Sequence, residues 1–155
     1  MKIIKLLCFS LLCLMAFSVN AQYVDLGLPS GTKWKSVNEP GDKDGFYTYD
    51  EAVAAFGEQL PTKEQCEELI NACEWSWTGT GYKVTGPNGL SITLPAAGFR
   101  DCGGSVYDVG TLGAYWSSTP RGSEYAWCLD FDSSEVRMYN YPRCRGLSVR
   151  LVQGK

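Results

Sequence analysis

Residues 126–138, AWCLDFDSSEVRM, decide the fold, because they have the pattern of two strands joined by a tight turn. Apolar side chains recur at every second position from Trp127 to Phe131, a period that is typical of a strand with one buried face. Residues 132–134, Asp-Ser-Ser, favour a turn, and the apolar period resumes at Val136. The stretch therefore predicts a β-hairpin whose apolar face is buried and whose opposite face is toward solvent.

The solvent-facing side of this hairpin and the loop after it supply candidate contact residues. The predicted outer face carries Cys128, Asp130, Glu135, Arg137 and Tyr139. The following residues, 139–145, read YNYPRCR and predict a loop rich in aromatic and arginine side chains. Tyr and Arg combine large contact area with fixed donor geometry, so they are common in binding hot spots. The alternative is that these side chains only cover the sheet edge or stack on one another.

Upstream residues predict two helices followed by further hairpins. Capping boxes begin at Thr48 and Thr62, each with a Glu or Gln three residues later. The second helix has an apolar stripe at Cys66, Leu69, Ile70 and Cys73. Short strands are predicted near residues 23–26, 32–37, 75–77, 81–85 and 90–94, whereas the glycine-rich residues 101–113 predict an irregular loop. Helices grouped before antiparallel hairpins and a C-terminal strand predict an α+β domain.

The first 21 residues have the pattern of a secretory signal peptide. Lys2 and Lys5 precede an apolar run, and residues 19–21 resemble a small-residue cleavage site. The run is shorter than the ~20 residues that a membrane-spanning helix needs. We therefore predict a signal peptide at residues 1–21 and a single domain at residues 22–155. The mature chain is expected in the periplasm, at the cell surface or outside the cell, without membrane insertion.

The charge of the mature chain argues against nucleic acid as a partner. Removal of Lys2 and Lys5 leaves 12 basic and 17 acidic residues, a net charge of −5. Nucleic-acid binding depends on neutralising phosphates with basic side chains. An acidic domain without a basic run is therefore a poor candidate for it.

Five cysteines remain after signal cleavage, so at least one is free or pairs with another chain. Cys66 and Cys73 are seven residues apart on a predicted helix, roughly 10 Å along its axis, which is too far for a disulfide. Cys128 with Cys144 is the pair to test first, because both lie on the predicted exposed surface. Spacing alone does not determine the connectivity.

The chain contains no histidine. This excludes Ser-His-Asp and Cys-His catalysis, histidine acid–base chemistry and every zinc site that uses histidine. The acidic loop at residues 38–45 lacks the ladder of oxygen ligands that a calcium site requires. The sequence therefore predicts a protein that is not an enzyme and that has no cofactor or metal site.

An ordered set of short motifs resembles one family. The motifs are residues 24–31 (VDLGLPSG), 60–64 (LPTKE), 81–89 (GYKVTGPNG), 94–98 (LPAAG), 116–119 (WSST) and 148–152 (SVRLV). They resemble the major-paralogous-domain (FISUMP-type) proteins of gut Bacteroidetes and cover nearly all of the mature chain. The resemblance implies a C-type-lectin-like fold and does not imply an enzyme.

A subset of these domains resembles the variable proteins of diversity-generating retroelements, in which a fixed scaffold carries a rewritten C-terminal patch. The resemblance implies a surface-exposed display module with an unknown protein or glycan ligand. The positions that match variable ones, and are therefore the predicted ligand-binding residues, are Cys128, Asp130, Arg137, Tyr139, Tyr141, Cys144, Arg145 and Leu147. Arg143 and Arg150 match fixed positions, so we expect them to hydrogen-bond loop carbonyls.

Two other functions compete with ligand binding. An enzyme of the formylglycine-generating branch of the same fold requires a reactive cysteine pair, for which Cys128 and Cys144 are the candidates. A structural subunit of a fimbria or surface layer would instead use an open strand edge for strand addition.

Overall fold

The computed structural model describes residues 22–41 and 44–154. The predicted signal peptide at residues 1–21 lies outside this part of the chain. No helix within it is long and apolar enough to cross a membrane.

The elements follow the order predicted from the sequence, with two helices before most of the strands. In chain order they are β1 (Tyr23–Asp25), β2 (Lys33–Lys35), α1 (Tyr49–Phe56), a 3-10 turn (Gly57–Gln59), α2 (Lys63–Ala72), β3 (Glu74–Trp77), β4 (Gly81–Thr85), β5 (Ser91–Pro95), β6 (Phe99–Arg100), β7 (Val106–Tyr107), β8 (Gly113–Arg121), β9 (Tyr125–Phe131), β10 (Val136–Pro142) and β11 (Val152–Gln153). The prediction of an α+β protein with two helices is confirmed.

Antiparallel pairing joins these strands into four small sheets. Their orders are β1-β2-β11, β3-β4-β5, β8-β9-β10 and β6-β7. β11 pairs with β2, so the end of the described chain lies beside its beginning. The β4–β5 hairpin contains Gly89 at φ +86°, a backbone conformation that glycine adopts without steric cost.

Both predicted capping boxes are present. The Thr48 side chain accepts a hydrogen bond from the Glu51 amide at 3.3 Å, and the Glu51 carboxylate accepts one from the Thr48 amide at 2.9 Å. Thr62 and Gln65 exchange the same pair of bonds at 3.1 and 2.9 Å. These bonds satisfy amides that the helix leaves without intrahelical partners, so each helix begins where the sequence predicts.

The β8-β9-β10 sheet lies between two clusters of buried side chains. One cluster includes Tyr115, Leu129 and Phe131, and the other includes Trp116 and Cys128. Odd-numbered and even-numbered positions of β8 and β9 therefore enter different clusters, as the alternation of side chains along a strand requires. These parts of β8 and β9 are consequently covered on both faces.

The β9–β10 hairpin is confirmed, and it is longer than predicted. The pairing runs from Phe131 opposite Val136 to Tyr125 opposite Pro142. The Asp132 carboxylate holds the turn by accepting bonds from the Ser134 amide and hydroxyl at 2.8 and 2.7 Å. Residues 139–142, predicted as the start of a loop, are instead the second half of β10.

Residues 101–113 are more ordered than the predicted irregular loop. The short strands β6 and β7 pair with each other. Between them, the Asp101 carboxylate accepts hydrogen bonds from the amides of Gly103 and Ser105. A disulfide between Cys102 and Cys144, with Cα atoms 5.1 Å apart, ties this hairpin to the residues after β10. The predicted Cys128–Cys144 pair is therefore wrong, because a more distant part of the chain brings Cys102 to Cys144.

The two arginines expected to hydrogen-bond loop carbonyls both bond carbonyls, although those of Arg150 belong to strands. Arg143 donates to the carbonyls of Tyr125 at 3.2 Å and Gly122 at 2.6 Å. Arg150 is 1% exposed and donates to the carbonyls of Lys35 at 2.9 Å and Thr93 at 2.7 Å, and to the Asn38 side chain. A buried guanidinium with this many partners connects β2, β5 and the C-terminal segment.

Candidate functional site

One continuous surface joins β10 to the β6–β7 hairpin. We call it the Arg–aromatic surface, and its members are Phe99, Tyr107, Arg137, Tyr139, Tyr141 and Arg145. Arg137, Tyr139 and Tyr141 share one face of β10 because they alternate along the strand. Arg145 follows the strand in the segment that the Cys102–Cys144 disulfide holds against β6–β7.

Each member of the Arg–aromatic surface contacts the next through a ring or a guanidinium. The Arg137 guanidinium lies 5.3 Å from the Tyr139 ring centroid, and the Tyr139 and Tyr141 rings meet edge to face at 5.3 Å. Arg145 lies 4.6 Å from the Tyr141 centroid and 5.0 Å from that of Phe99. These spacings lie within the range of favourable aromatic and cation–π contacts.

The far end of the surface is formed by Tyr107. Its ring centroid lies 5.7 Å from that of Phe99, to which it is paired across β6–β7. Tyr107 and Tyr139, near the two ends of the chain of contacts, are 48% and 45% exposed. The surface therefore offers exposed rings whose neighbours already restrict their movement.

Asp130 supports the Arg–aromatic surface from below. The Tyr141 hydroxyl donates to one carboxylate oxygen at 2.8 Å, and Arg137 pairs with the other at 3.0 Å. Arg137 also pairs with Glu135. Burial raises the pKa of Asp130, and the bonds from Tyr141 and Arg137 oppose that rise. The arrangement fixes Tyr141 and Arg137 from beneath while their outer sides stay accessible.

Arg145 differs from Arg137 in its charge balance. No carboxylate of residues 22–41 or 44–154 forms an ion pair with Arg145, and its guanidinium makes no hydrogen bond there. Its described side-chain contacts are the rings of Phe99 and Tyr141. The surface thus presents one positive charge that its described neighbours do not neutralise.

The predicted exposure of Cys128, Asp130 and Leu147 is wrong. They are 0%, 1% and 0% exposed. The C-terminal segment and α1 cover the face of β9 that carries Cys128, and Leu147 belongs to the same buried cluster. Asp130 lies beneath Tyr141 and Arg137. None of the three is placed to touch a ligand directly.

The remaining predicted site residues reach the surface. Tyr139 is exposed, whereas Arg137, Tyr141 and Arg145 are partly buried by their own stacking contacts. Cys144 is exposed, and its sulfur is engaged in the disulfide with Cys102. These side chains therefore do stack on one another, as the alternative to ligand contact predicts. The stacking nevertheless leaves part of each ring open to solvent.

No sequence pattern identified Phe99 and Tyr107 as surface residues. They precede β10 by roughly 30 to 40 residues, so no local pattern links them to Tyr141. One sequence feature could have pointed to this segment as a surface site. Two neighbouring apolar residues, Val106 and Tyr107, lie near a cysteine in a glycine-rich stretch.

The cysteine pair that the enzyme hypothesis requires is not assembled. Cys144 is bonded to Cys102, and Cys128 is a buried free thiol whose pKa is raised by burial. Burial likewise raises the pKa of Cys73 to about 11. A thiol in this state is a poor nucleophile, because the thiolate is the reactive form. Within the described residues, no three Cys, Asp or Glu side chains are grouped so as to hold a metal ion.

A cavity of about 820 Å³ lies between α1 and the segment that contains Arg100 and Gly104. Its wall includes Phe46, Arg100 and Asp44, and Arg100 donates to both Asp44 carboxylate oxygens at 3.0 and 2.8 Å. Burial disfavours ionisation of Asp44, but hydrogen bonds from the Phe46 amide and Arg100 lower its pKa overall. Arg100 and Asp44 therefore form an ion pair, whereas Arg145 has none among the described residues.

A family model described as a domain of unknown function (DUF8237) matches residues 74–152, just over half of the chain. The match includes β3 to β10 and all members of the Arg–aromatic surface. No curated protein matches the chain. No solved structure matches it either.

Proposed function

This chain belongs to the DUF8237 family, and we propose that it is an exported, C-type-lectin-like display module that binds a partner through the Arg–aromatic surface. The observation that carries the proposal is the unbroken chain of contacts from Arg137 to Tyr107, which holds exposed rings and a cation in place before any ligand arrives. Preorganised side chains lose little entropy on binding, so more of the contact energy contributes to affinity.

The proposed C-type-lectin-like fold is supported by the element order and by the motif resemblance. Two helices precede the hairpins, and the chain closes on a terminal strand, as the resemblance implies. The proposed export rests on the pattern of residues 1–21 and on the Cys102–Cys144 disulfide, because disulfides persist in oxidising compartments.

The contact residues proposed here differ from those predicted from the sequence alone. Tyr139, Tyr141, Arg137 and Arg145 remain, and Phe99 and Tyr107 join them. Cys128, Asp130 and Leu147 act as support, since their side chains are buried. In a diversified protein, the outward positions of β10 are those where replacement disturbs packing least, which is the property that a display surface requires.

The test compares a surface variant with a matched control. Tyr107→Ala, Tyr139→Ala and Arg145→Ala are combined in the mature protein. The control combines Val53→Ala, Lys83→Ala and Leu90→Ala, three exposed residues on α1 and the β4–β5 hairpin. Binders are selected on the wild type from a glycan array and a random-peptide display library.

We expect the selected binders to be retained by the control and to be at least roughly tenfold weaker on the surface variant, as for the loss of hot-spot residues. Circular dichroism and thermal melting should show that both variants are folded. Binding that is unchanged in the surface variant, or the absence of any selectable binder, would overturn the proposal.

A structural subunit is the second candidate, and one feature favours it. β10 is the edge strand of its sheet and is seven residues long, so its outer backbone groups offer a place for strand addition. Light scattering distinguishes the two functions: a subunit should assemble as its concentration rises, whereas a display module should keep one mass throughout.

A further inference from the structure

We infer that the partner is a protein segment that places a carboxylate on Arg145 and apolar side chains on the surrounding rings. This inference rests on the proposed function and narrows it to one class of ligand. It depends on three features of the surface: the charge of Arg145, the aromatic rings beside it, and the engagement of the Tyr141 hydroxyl and the terminal nitrogens of Arg137 by carboxylates of the same chain.

The Arg145 guanidinium is held in place by rings and lacks a counter-ion among the described residues. Its Cζ lies over the rings of Phe99 and Tyr141, 5.0 and 4.6 Å from their centroids, and these contacts restrict its position. The guanidinium makes no hydrogen bond with the described residues, so its N–H groups are available as donors. Two parallel N–H donors match the two oxygens of a carboxylate, so this group fits the cation best.

The β6–β7 side of the Arg–aromatic surface presents an exposed aromatic ring. Tyr107 is 48% exposed, whereas Val106, its neighbour on β7, lies opposite Arg100 and points to the other face of the strand. Tyr107 contacts Phe99, which in turn contacts Arg145. Exposed apolar side chains that are contiguous with ordered aromatic rings are typical of protein-interaction sites. A partner that covers Arg145 will therefore also bury apolar area next to it.

The polar groups near Arg145 favour a protein over an acidic sugar. The Tyr141 hydroxyl is used by Asp130, and the two terminal nitrogens of Arg137 are used by Asp130 and Glu135. A sugar ring carries many hydroxyls, and each one buried without a partner costs free energy. A peptide with an acidic side chain between apolar residues has fewer polar groups that need hydrogen-bond partners when they are buried. The geometry thus favours an acidic, apolar protein segment.

The test uses random nonapeptides capped at both ends, selected in parallel on the wild-type mature protein and on Arg145→Gln. The capped ends ensure that any carboxylate comes from an Asp or Glu side chain. Lys83→Gln, which removes a positive charge from an exposed position of β4, is the matched control. An array of acidic oligosaccharides, such as oligogalacturonate, is run on the same three proteins.

We expect Asp or Glu flanked by apolar residues to be enriched on the wild type and on Lys83→Gln, and the acidic preference to vanish on Arg145→Gln. Replacing the acidic residue of a selected peptide by its amide should weaken wild-type binding roughly tenfold or more. Thermal melting checks that Arg145→Gln is folded, and Arg145→Lys should restore part of the preference because it keeps the charge without the fork.

Three outcomes would overturn the inference. Peptides that depend on Tyr107 and Tyr139 but show no acidic preference would contradict it while leaving the proposed function intact. Arg145-dependent binding of oligogalacturonate without peptide binding would replace the protein partner by an acidic glycan. The absence of any surface-dependent binder would remove the proposed function and this inference together.

Discussion

The two strands of the central hairpin, β9 and β10, have similar alternating sequences and very different surroundings. β9 is the middle strand of its sheet, and from Cys128 to Phe131 every side chain is buried. β10 is the edge strand, and none of its side chains reaches the same burial. Alternation of apolar and polar residues therefore indicates a strand, but it does not indicate whether the second face is covered.

The difference explains how one hairpin both supports the fold and presents a surface. Phe131 on β9 contacts Tyr82, Tyr115 and Trp75 within the first buried cluster. Tyr139 on β10 contacts other members of the Arg–aromatic surface and is open to solvent. Substitutions on the two strands should accordingly have effects of different size, and three variants test this.

Phe131→Ala should cause the largest loss of stability. The ring is 1% exposed, and it also lies over Gly113, so its removal leaves a cavity that the backbone cannot easily close. We expect a loss of ~3–5 kcal/mol in the free energy of unfolding, measured by urea denaturation. Val136→Ala, at the cross-strand partner on β10, is the control and should cost clearly less. Equal losses in the two variants would contradict the comparison.

Tyr141→Phe should have an intermediate effect, because it removes only the hydroxyl that donates to Asp130. A hydrogen bond to a charged group contributes roughly 1.5–3 kcal/mol, and we expect a loss of that order near neutral pH. The ring and its contacts with Arg145 and Phe99 are retained, so binding through the surface should change little.

The pH dependence of this variant provides its control. Burial raises the pKa of Asp130 in the folded protein, and the Tyr141 hydroxyl opposes the rise, so the variant should raise that pKa further. A carboxyl with a raised folded pKa loses stability as the pH rises from its unfolded pKa through the folded one. The deficit of Tyr141→Phe should therefore be smallest below about pH 3 and grow with increasing pH. A deficit that is independent of pH would show that the hydroxyl does not act on the ionised carboxylate.

Tyr139→Ala should have the smallest effect on stability. The side chain is 45% exposed, and its described contacts are an edge contact with the Tyr141 ring and the Arg137 guanidinium over its own ring. We expect a change of less than about 1 kcal/mol in the free energy of unfolding, together with weaker binding of partners selected on the wild type. A loss as large as that of Phe131→Ala would show that β10 is part of the core, and the proposed display surface would lose its basis.

Local chemistry in the sequence determined much of the scaffold. Thr48 and Thr62 predict the two helix starts, because a capping box involves residues only three positions apart. The Asp-Ser-Ser turn and the period-two pattern predict the β9–β10 hairpin for the same reason. The resemblance implies loop-carbonyl contacts for Arg143 and Arg150; Arg143 makes one with Gly122, whereas Arg150 bonds carbonyls of β2 and β5.

The composition of the surface was decided by contacts between distant parts of the chain. Only tertiary packing places α1 and the C-terminal segment over Cys128, brings Cys102 to Cys144 and sets Phe99 beside Tyr141. Each of these contacts depends on which elements are neighbours in space. The sequence of a strand does not indicate which element will cover its second face. The sequence by itself thus determined the elements and the residue types available for binding, whereas burial by distant elements decided which of those residues face solvent.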